Sequence, residues 1–502
     1  MYAQAMAQQV QRERQQGFGN PIISAEVQGT RFVAVKNRLV HGKWPTFHAF
    51  LMHYIKVSIG PDWGNAELKK PLQERHPILL WYDYLCAEQR KYFKGDGRVY
   101  SGPMTGAVSA YMWLAYDLYC LDHNAEIQDR LLFRLRDPKN FPGARYEIFA
   151  AATLIRAGFT LEFENEDLRG STHCEFTATF RRTGKKFSVE CKRRDAEATS
   201  GKMKLAKLGR KLRNALSKAA QHERIVFIDV NVSERSEDGQ IPTWIELAKH
   251  QLRKFETNHV NGGDLPSAYV VFTNYPYHHF LTETDIQVGG LVDGFKLPEF
   301  TRTQFSSLRD AINAREAHTE IHQLIQSIKD HSTIPSTFDG EIPEFAFGEA
   351  NQRLLIGGRY LVKDAEGRDR IGLITAANVV EQERKAYCGV SLESGESVIL
   401  TWPLSDAELA AWRRHPDTFF GVLGQRTHKA EGPLQLYDFF LNGYSRTPRE
   451  RLLEFLAGVL SPEQRESMSQ SELASMYAER SVYAVLANQE AKAAASPPAP
   501  VG

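Results

Sequence analysis

Two acidic side chains and one ammonium, Glu175, Glu190 and Lys192, stand where two short strands can bring them together. The strands read as CEFTATF (174–180) and FSVECK (187–192), joined by the basic, turn-rich RRTGKK. Alternation puts Phe187, Val189 and Cys191 on one face of the second strand and Ser188, Glu190 and Lys192 on the other. A tight turn at Thr183-Gly184 predicts Phe180 opposite Phe187, Ala178 opposite Val189 and Phe176 opposite Cys191. Glu190 then opposes Thr177, and Lys192 opposes Glu175. A slip by an even number of residues keeps these faces, whereas an odd slip sets carboxylates against phenylalanines. Opposed Cβ atoms lie roughly 5 Å apart and diagonal ones roughly 7 to 8 Å. The three ionisable groups therefore converge on one polar face.

Two carboxylates at such a separation can hold a hard divalent cation such as Mg²⁺, which keeps several waters and accepts phosphate oxygens. The cation lowers the pKa of a bound water, and the lysine steadies the nucleophile or the charge developing on phosphorus. The plain rival is an exposed cross-strand ion pair.

The elements that must position these groups follow from patterning. Residues 1–140 read as mainly helical after an irregular start, with helical spacing in HPILLWYDYLCAEQRKYF (76–93) and AEIQDRLLFRLRD (125–137). The apolar run 104–121 has membrane-like length, but it contains Asp117 and several tyrosines, so it is expected as a buried helix. From 141 to 285 the order changes. The helix ARYEIFAAATLIRAGF, closed by Gly158, precedes three strands (160–164, 174–180 and 187–192), a helix over roughly 200–222 and a strand at 224–232. A helix at 242–256 and a strand at 268–274 complete an α/β region, with a mixed central sheet flanked by helices. A helical connector (286–340), a small β-domain (341–430) with turns at DAEGRD and ESGES, C-terminal helices (431–490) and a disordered tail (491–502) follow.

The order α-β-β-β-α-β, with Glu147 on the first helix, Glu175 leading the second strand and Glu190-Cys191-Lys192 on the third, resembles the PD-(D/E)xK, or restriction-endonuclease-like, nuclease superfamily. The resemblance covers about 143–280. It implies metal-dependent hydrolysis of a phosphodiester, with Mg²⁺ as cofactor and Mn²⁺ as substitute. Glu175 and Glu190 would be side-chain ligands, the Cys191 backbone carbonyl a further ligand, and Lys192 the catalytic lysine. Glu147 would orient a metal-bound water or a second metal. Where members usually carry aspartate, often after proline, this chain has Cys174-Glu175, one methylene longer.

The near-neutral chain (+1) hides a basic zone: Arg181 to Arg224 holds fifteen Lys and Arg against four acids. Arg193 and Arg194 at the strand end, and Lys204, Lys207, Lys211 and Lys218 beside an apolar stripe of Leu205, Leu208, Leu212, Ala215 and Ala219, are the candidate contacts to a nucleic-acid backbone, DNA favoured over RNA. His173 shares the Glu175 face and reads as a turn residue. Cys174 and Cys191 read as core packing, and TNYPYHHF (273–280) as an aromatic strand end, not a metal site. Five scattered cysteines and a polar N-terminus fit a reduced, cytoplasmic protein with no membrane partner, monomeric or homo-oligomeric. Two rival functions stay open: a nuclease fold that binds nucleic acid without cutting it, and a protein-interaction scaffold.

Overall fold

A computed structural model describes residues 2–95, 99–163, 174–194, 208–234, 240–257, 265–302, 304–348, 350, 352–364, 366–424, 430, 432–445 and 447–495. The chain forms two compact units, Met1–Pro298 with Glu320–Gln425 and Glu299–Thr319 with Arg426–Gly502.

The first unit opens with the helix Tyr2–Gln16 and then a three-stranded antiparallel meander, β1 (Ile23–Val27), β2 (Thr30–Val35) and β3 (Arg38–Gly42). Sequence patterning assigned this stretch to an irregular start; the meander corrects that. Its outer strands bury little, so their apolar residues give no clean alternation, and only Val33 and Val35 reach the core.

The apolar run becomes the helix Gly106–Asn124, capped by the Thr105 hydroxyl accepting from Val108 N. Nearly all of it is buried. Asp117, 0% exposed, explains its own presence: Oδ1 accepts from Arg156 at 2.8 Å and Oδ2 from Arg145 at 3.0 Å. Both arginines belong to the next long helix, Phe141–Arg156, so a buried charge cluster fixes one helix against the other. Among the described residues no helix is long and apolar enough to cross a membrane.

The Phe141–Arg156 helix leads into a six-stranded mixed sheet in the order β4 (Phe159–Phe163), β5 (Phe176–Phe180), β6 (Lys186–Arg193), β7 (Glu223–Asp229), β8 (Ala268–Asn274) and β9 (Gly289–Phe295). β4, β5 and β6 pair antiparallel, β6, β7 and β8 parallel, and β9 returns antiparallel to β8. The parallel crossovers are made by the helices Leu208–Leu216 and Thr243–Thr257.

One face of the sheet presents Val226, Ile228, Val270 and Phe272 to Leu208, Leu212, Trp244 and Leu252 of these two helices. The other face lies against the Phe141–Arg156 helix, whose Tyr146 hydroxyl is 2.8 Å from Thr273 Oγ1. β9 falls inside the stretch assigned to a helical connector. Its Gly289, Gly290, Asp293 and Gly294 are poor strand formers, and its place comes from pairing with β8.

The small β-domain forms as an antiparallel meander, β10 (Arg359–Lys363), β11 (Asp369–Val380), β12 (Lys385–Leu392) and β13 (Ser397–Pro403), with DAEGRD and ESGES at turns. Val362, Ile374, Cys388 and Val390 form its core with Leu409 and Ala411 of the helix Asp406–Arg414. The second unit is helical. Its helices include Leu308–Ala317, Pro433–Tyr444, Arg449–Phe455, Pro462–Ser467 and Gln470–Ala495, and its cores are Ile312, Tyr437, Ala478 and Val482, and Leu452, Leu456 and Leu473. Of the segment assigned to a disordered tail, residues 496–502 lie outside the described residues.

Candidate functional site

The hairpin forms, with a register two residues from the expected one. Phe176 is level with Val189, Ala178 with Phe187 and Thr179 with Lys186. The reason lies in the turn. A four-residue loop, 181–184, replaces the tight Thr183-Gly184 turn. Phe180 N donates to Lys185 O at 2.9 Å and Gly184 N to Phe180 O at 2.8 Å. Gly184 closes it at φ +73°, a left-handed conformation that glycine adopts without strain. Because the shift is even, every face is kept.

The ladder ends at Phe176, level with Val189, so Lys192 does not oppose Glu175 as expected. Glu175 N still donates to the Val189 carbonyl, at 2.9 Å. The carbonyl of Cys191, two residues on, points by alternation to the same edge of β6.

Glu190 is 1% exposed and level with Val226 of β7, on the face covered by the helix Leu208–Leu216. Its Oε1 accepts from two ammoniums: Lys192 Nζ, and Lys218 Nζ at 2.9 Å. Lys218 Nζ is also 3.4 Å from Glu175 Oε1. The two carboxylates therefore share one side of the sheet and one cation. Glu190 Oε2 is buried with no hydrogen-bond partner among the described residues. Burial, then the charge of Glu175, raises the Glu190 pKa above the ordinary carboxylate value against the pull of Lys192 and Lys218. Burial alone would lower Lys218, but Glu175 and Glu190 outweigh it and raise its pKa.

Lys218 had been expected on the basic stripe of a helix running to 222. The helix stops at Leu216, and the lysine turns in toward the carboxylates. No local pattern marks this, since the contact joins elements far apart in sequence. Lys211 does lie on the helix, half-buried beside Leu208 and Leu212. Lys204, Lys207 and His173 lie outside the described residues.

Arg193 and Arg194 depart from the expected phosphate clamp. Arg193 Nε donates to Asp229 Oδ2 at 2.9 Å, and its NH2 is 3.0 Å from His278 Nε2. Arg194 is 3% exposed and donates to the Val230 carbonyl at 2.7 Å. Both guanidiniums tie the end of β6 to β7 and its outgoing loop. Burial raises the Asp229 pKa, with Arg193 opposing. His278 and His279 both lie about Asn231 Oδ1, at 2.9 and 3.0 Å, in this structural network.

Glu147 comes from the helix on the opposite face. Its two oxygens accept a bidentate pair of bonds from Arg134, at 2.7 and 2.6 Å. It lines a small cleft with Glu175, Arg130, Arg134, Phe163 and Phe176. Cys191 feels both sides: burial, then Glu175, then Glu147 and Glu190 hold its thiol well above the usual range, so it is inert packing. Arg130 and Arg134 were missed in the sequence because the helix Asp129–Arg136 meets Glu147 only after the turn at Pro138.

The residues fit a hard cation in one respect above all. A buried carboxylate with one bare oxygen beside a second carboxylate is a costly arrangement that a cation relieves. Among the described residues no three His, Cys, Asp or Glu side chains converge as a ready-made metal cluster. No protein-family model matches the chain, and neither a curated protein nor a solved structure matches it.

Proposed function

We propose that the chain is a metal-dependent nuclease, built on a core of the PD-(D/E)xK type, that hydrolyses phosphodiester bonds of nucleic acid, DNA in the first instance. One observation carries the reading: Glu190 is buried with Oε2 bare, beside Lys192 and sharing the Lys218 ammonium with Glu175. The helix, three strands, helix and strand around it occur in the order such a core requires. Glu175, Glu190 and the Cys191 carbonyl would hold Mg²⁺ or Mn²⁺. Bound there, the ion supplies a water of lowered pKa and a counter-charge for phosphate.

The chain's own groups have separable tasks. Glu175 and Glu190 fix the cation's position from adjacent strands. Lys192, partly exposed on the same face, places an ammonium where negative charge grows on the phosphate oxygens. Glu147, held by Arg134, lines the cleft on the Glu175 side and would orient a water there. Lys211 and the basic residues around it would meet the backbone, setting affinity more than sequence preference.

The test is conversion of supercoiled plasmid, and of single-stranded DNA and RNA, with Mg²⁺ or with EDTA. Cleavage should need the metal and fall by at least about a hundredfold in Glu190→Ala and Lys192→Ala. Metal-independent cleavage, or full activity in Glu190→Ala, would refute it. The closed network of Glu175, Lys218, Glu190 and Lys192 favours a second reading, a nuclease-type fold that binds nucleic acid without cutting it. Salt-sensitive binding with no cleavage of any substrate would select that one.

A further inference from the structure

We infer that Lys218 is the resting counter-ion of the Glu175–Glu190 pair, and that a divalent cation enters by displacing its ammonium, so the site works by cation exchange. The inference rests on the metal-site reading above and adds a regulation to that site. Three observations lead to it.

The first is how contacts are divided at Glu190. Oε1 accepts from both Lys192 and Lys218, while Oε2 is buried and accepts from nothing described. A carboxylate arranged for stability alone would share two donors between two oxygens. The bare oxygen leaves a coordinating position next to the one that Lys218 fills.

The second is charge. Two carboxylates and two ammoniums balance. A dication added to the closed network would meet both ammoniums in a poorly solvated space, where repulsion between like charges is large. Releasing one ammonium removes that conflict. Lys192 is on β6 itself, next but one to Glu190, whereas Lys218 reaches in from beyond the helix end.

The third is mechanical. The backbone at Lys218 is anchored: its carbonyl accepts from Arg224 at 3.3 Å, the next carbonyl from Cys174 Sγ at 3.5 Å, and Ser217 N bonds Arg213 O at 2.9 Å. The side chain alone can swing on its four methylenes, and it is partly exposed. Glu190 has no such freedom. Once out, the ammonium lies at the rim of the site, where an anionic phosphate arrives, so cation entry and substrate attraction become coupled.

Mn²⁺ binding to the full chain, followed by calorimetry and by the electron paramagnetic resonance of free Mn²⁺, tests this without any turnover. Lys218→Met should bind Mn²⁺ about tenfold more tightly than the wild type, equal to about 1.4 kcal/mol. Lys218→Arg, whose forked guanidinium holds two carboxylates better, should bind it about threefold more weakly. Glu190→Gln should lose binding in every background. Unchanged or weaker affinity in Lys218→Met, beside a wild type that binds, overturns the exchange while leaving the metal site standing. If Lys218→Met does not fold, Lys218→Arg decides alone, and equal or tighter binding there overturns it. Absence of Mn²⁺ binding in all forms removes the metal site and the exchange together.

Discussion

Asp117→Asn is the sharpest probe of how the fold holds the candidate site. Asp117 is wholly buried and takes one bond from Arg156 at 2.8 Å and one from Arg145 at 3.0 Å. Arg156 is itself 4% exposed, with its guanidinium carbon 5.4 Å from the ring centroids of both Trp113 and Tyr116. Asparagine keeps the shape and removes the charge. Two guanidiniums then lose the carboxylate they share, and that of Arg156 stays buried. Breaking a buried pair from one side costs about 3–5 kcal/mol, because the stranded charge stays desolvated.

The same helix, Phe141–Arg156, carries Glu147, so its displacement should reach the cleft as well. Urea unfolding at neutral pH, followed by tryptophan fluorescence and circular dichroism, should show a lower midpoint with an unchanged slope. A loss below about 1 kcal/mol would mean that solvent screens the cluster as it does surface pairs, and the reasoning would fail.

Other consequences can be checked singly. His76 is 2% exposed, and burial, opposed by Glu67, lowers its pKa to about 4. The folded state therefore refuses a proton that the unfolded chain accepts. Stability holds above about pH 6.5 and falls on acidification toward pH 4, by up to about 3 kcal/mol for this residue; His76→Gln should flatten that part of the pH–stability curve, and an unaltered curve would contradict the assignment. Lys211→Ala should reduce the slope of log affinity for duplex DNA against log salt by about 0.9, one phosphate's worth. An unchanged slope would remove Lys211 from the interface. Gly106→Ala should cost about 2 kcal/mol or more, since a Cβ there would run into the backbone carbonyls of Tyr277 and Phe280. Near-native thermal stability would show that the loop yields.

Some of this was readable from the chain and some was not, for definite reasons. The faces of the 174–192 hairpin were legible because alternation with period two is local and survives an even slip. The register itself was not, because RRTGKK can close as two residues or as four, and the left-handed Gly184 suits either. The burial of 104–121 was legible from hydropathy, and the reason for Asp117 was hidden, since its partners lie a helix away. The run of basic residues does not show which bonds they make within the fold. Lys218 serves the carboxylates, and Arg193 and Arg194 serve the sheet end. Periodicity says which face a residue takes, but not which distant group meets it there.

Glu190 also bears on why a fold would keep such a residue. On its face of the sheet the residues level with it on β7 and β8 are Val226 and Val270, both buried against the apolar faces of two helices. A valine or leucine at 190 would extend that surface, leave Lys218 to Glu175 alone and leave no bare oxygen. Replacing buried ionic groups by well-packed apolar ones is often neutral or stabilising, so folding alone gives no reason for the glutamate. A desolvated acid, raised in pKa by burial and by the neighbouring Glu175, flanked by two lysines and short of one hydrogen-bond donor, is costly in a way that packing does not recover. The cost makes sense once a ligand with positive charge and room for oxygen donors completes the arrangement. For that reason the functional proposal rests on Glu190 more than on the basic surface, which a solvated protein can carry at no cost.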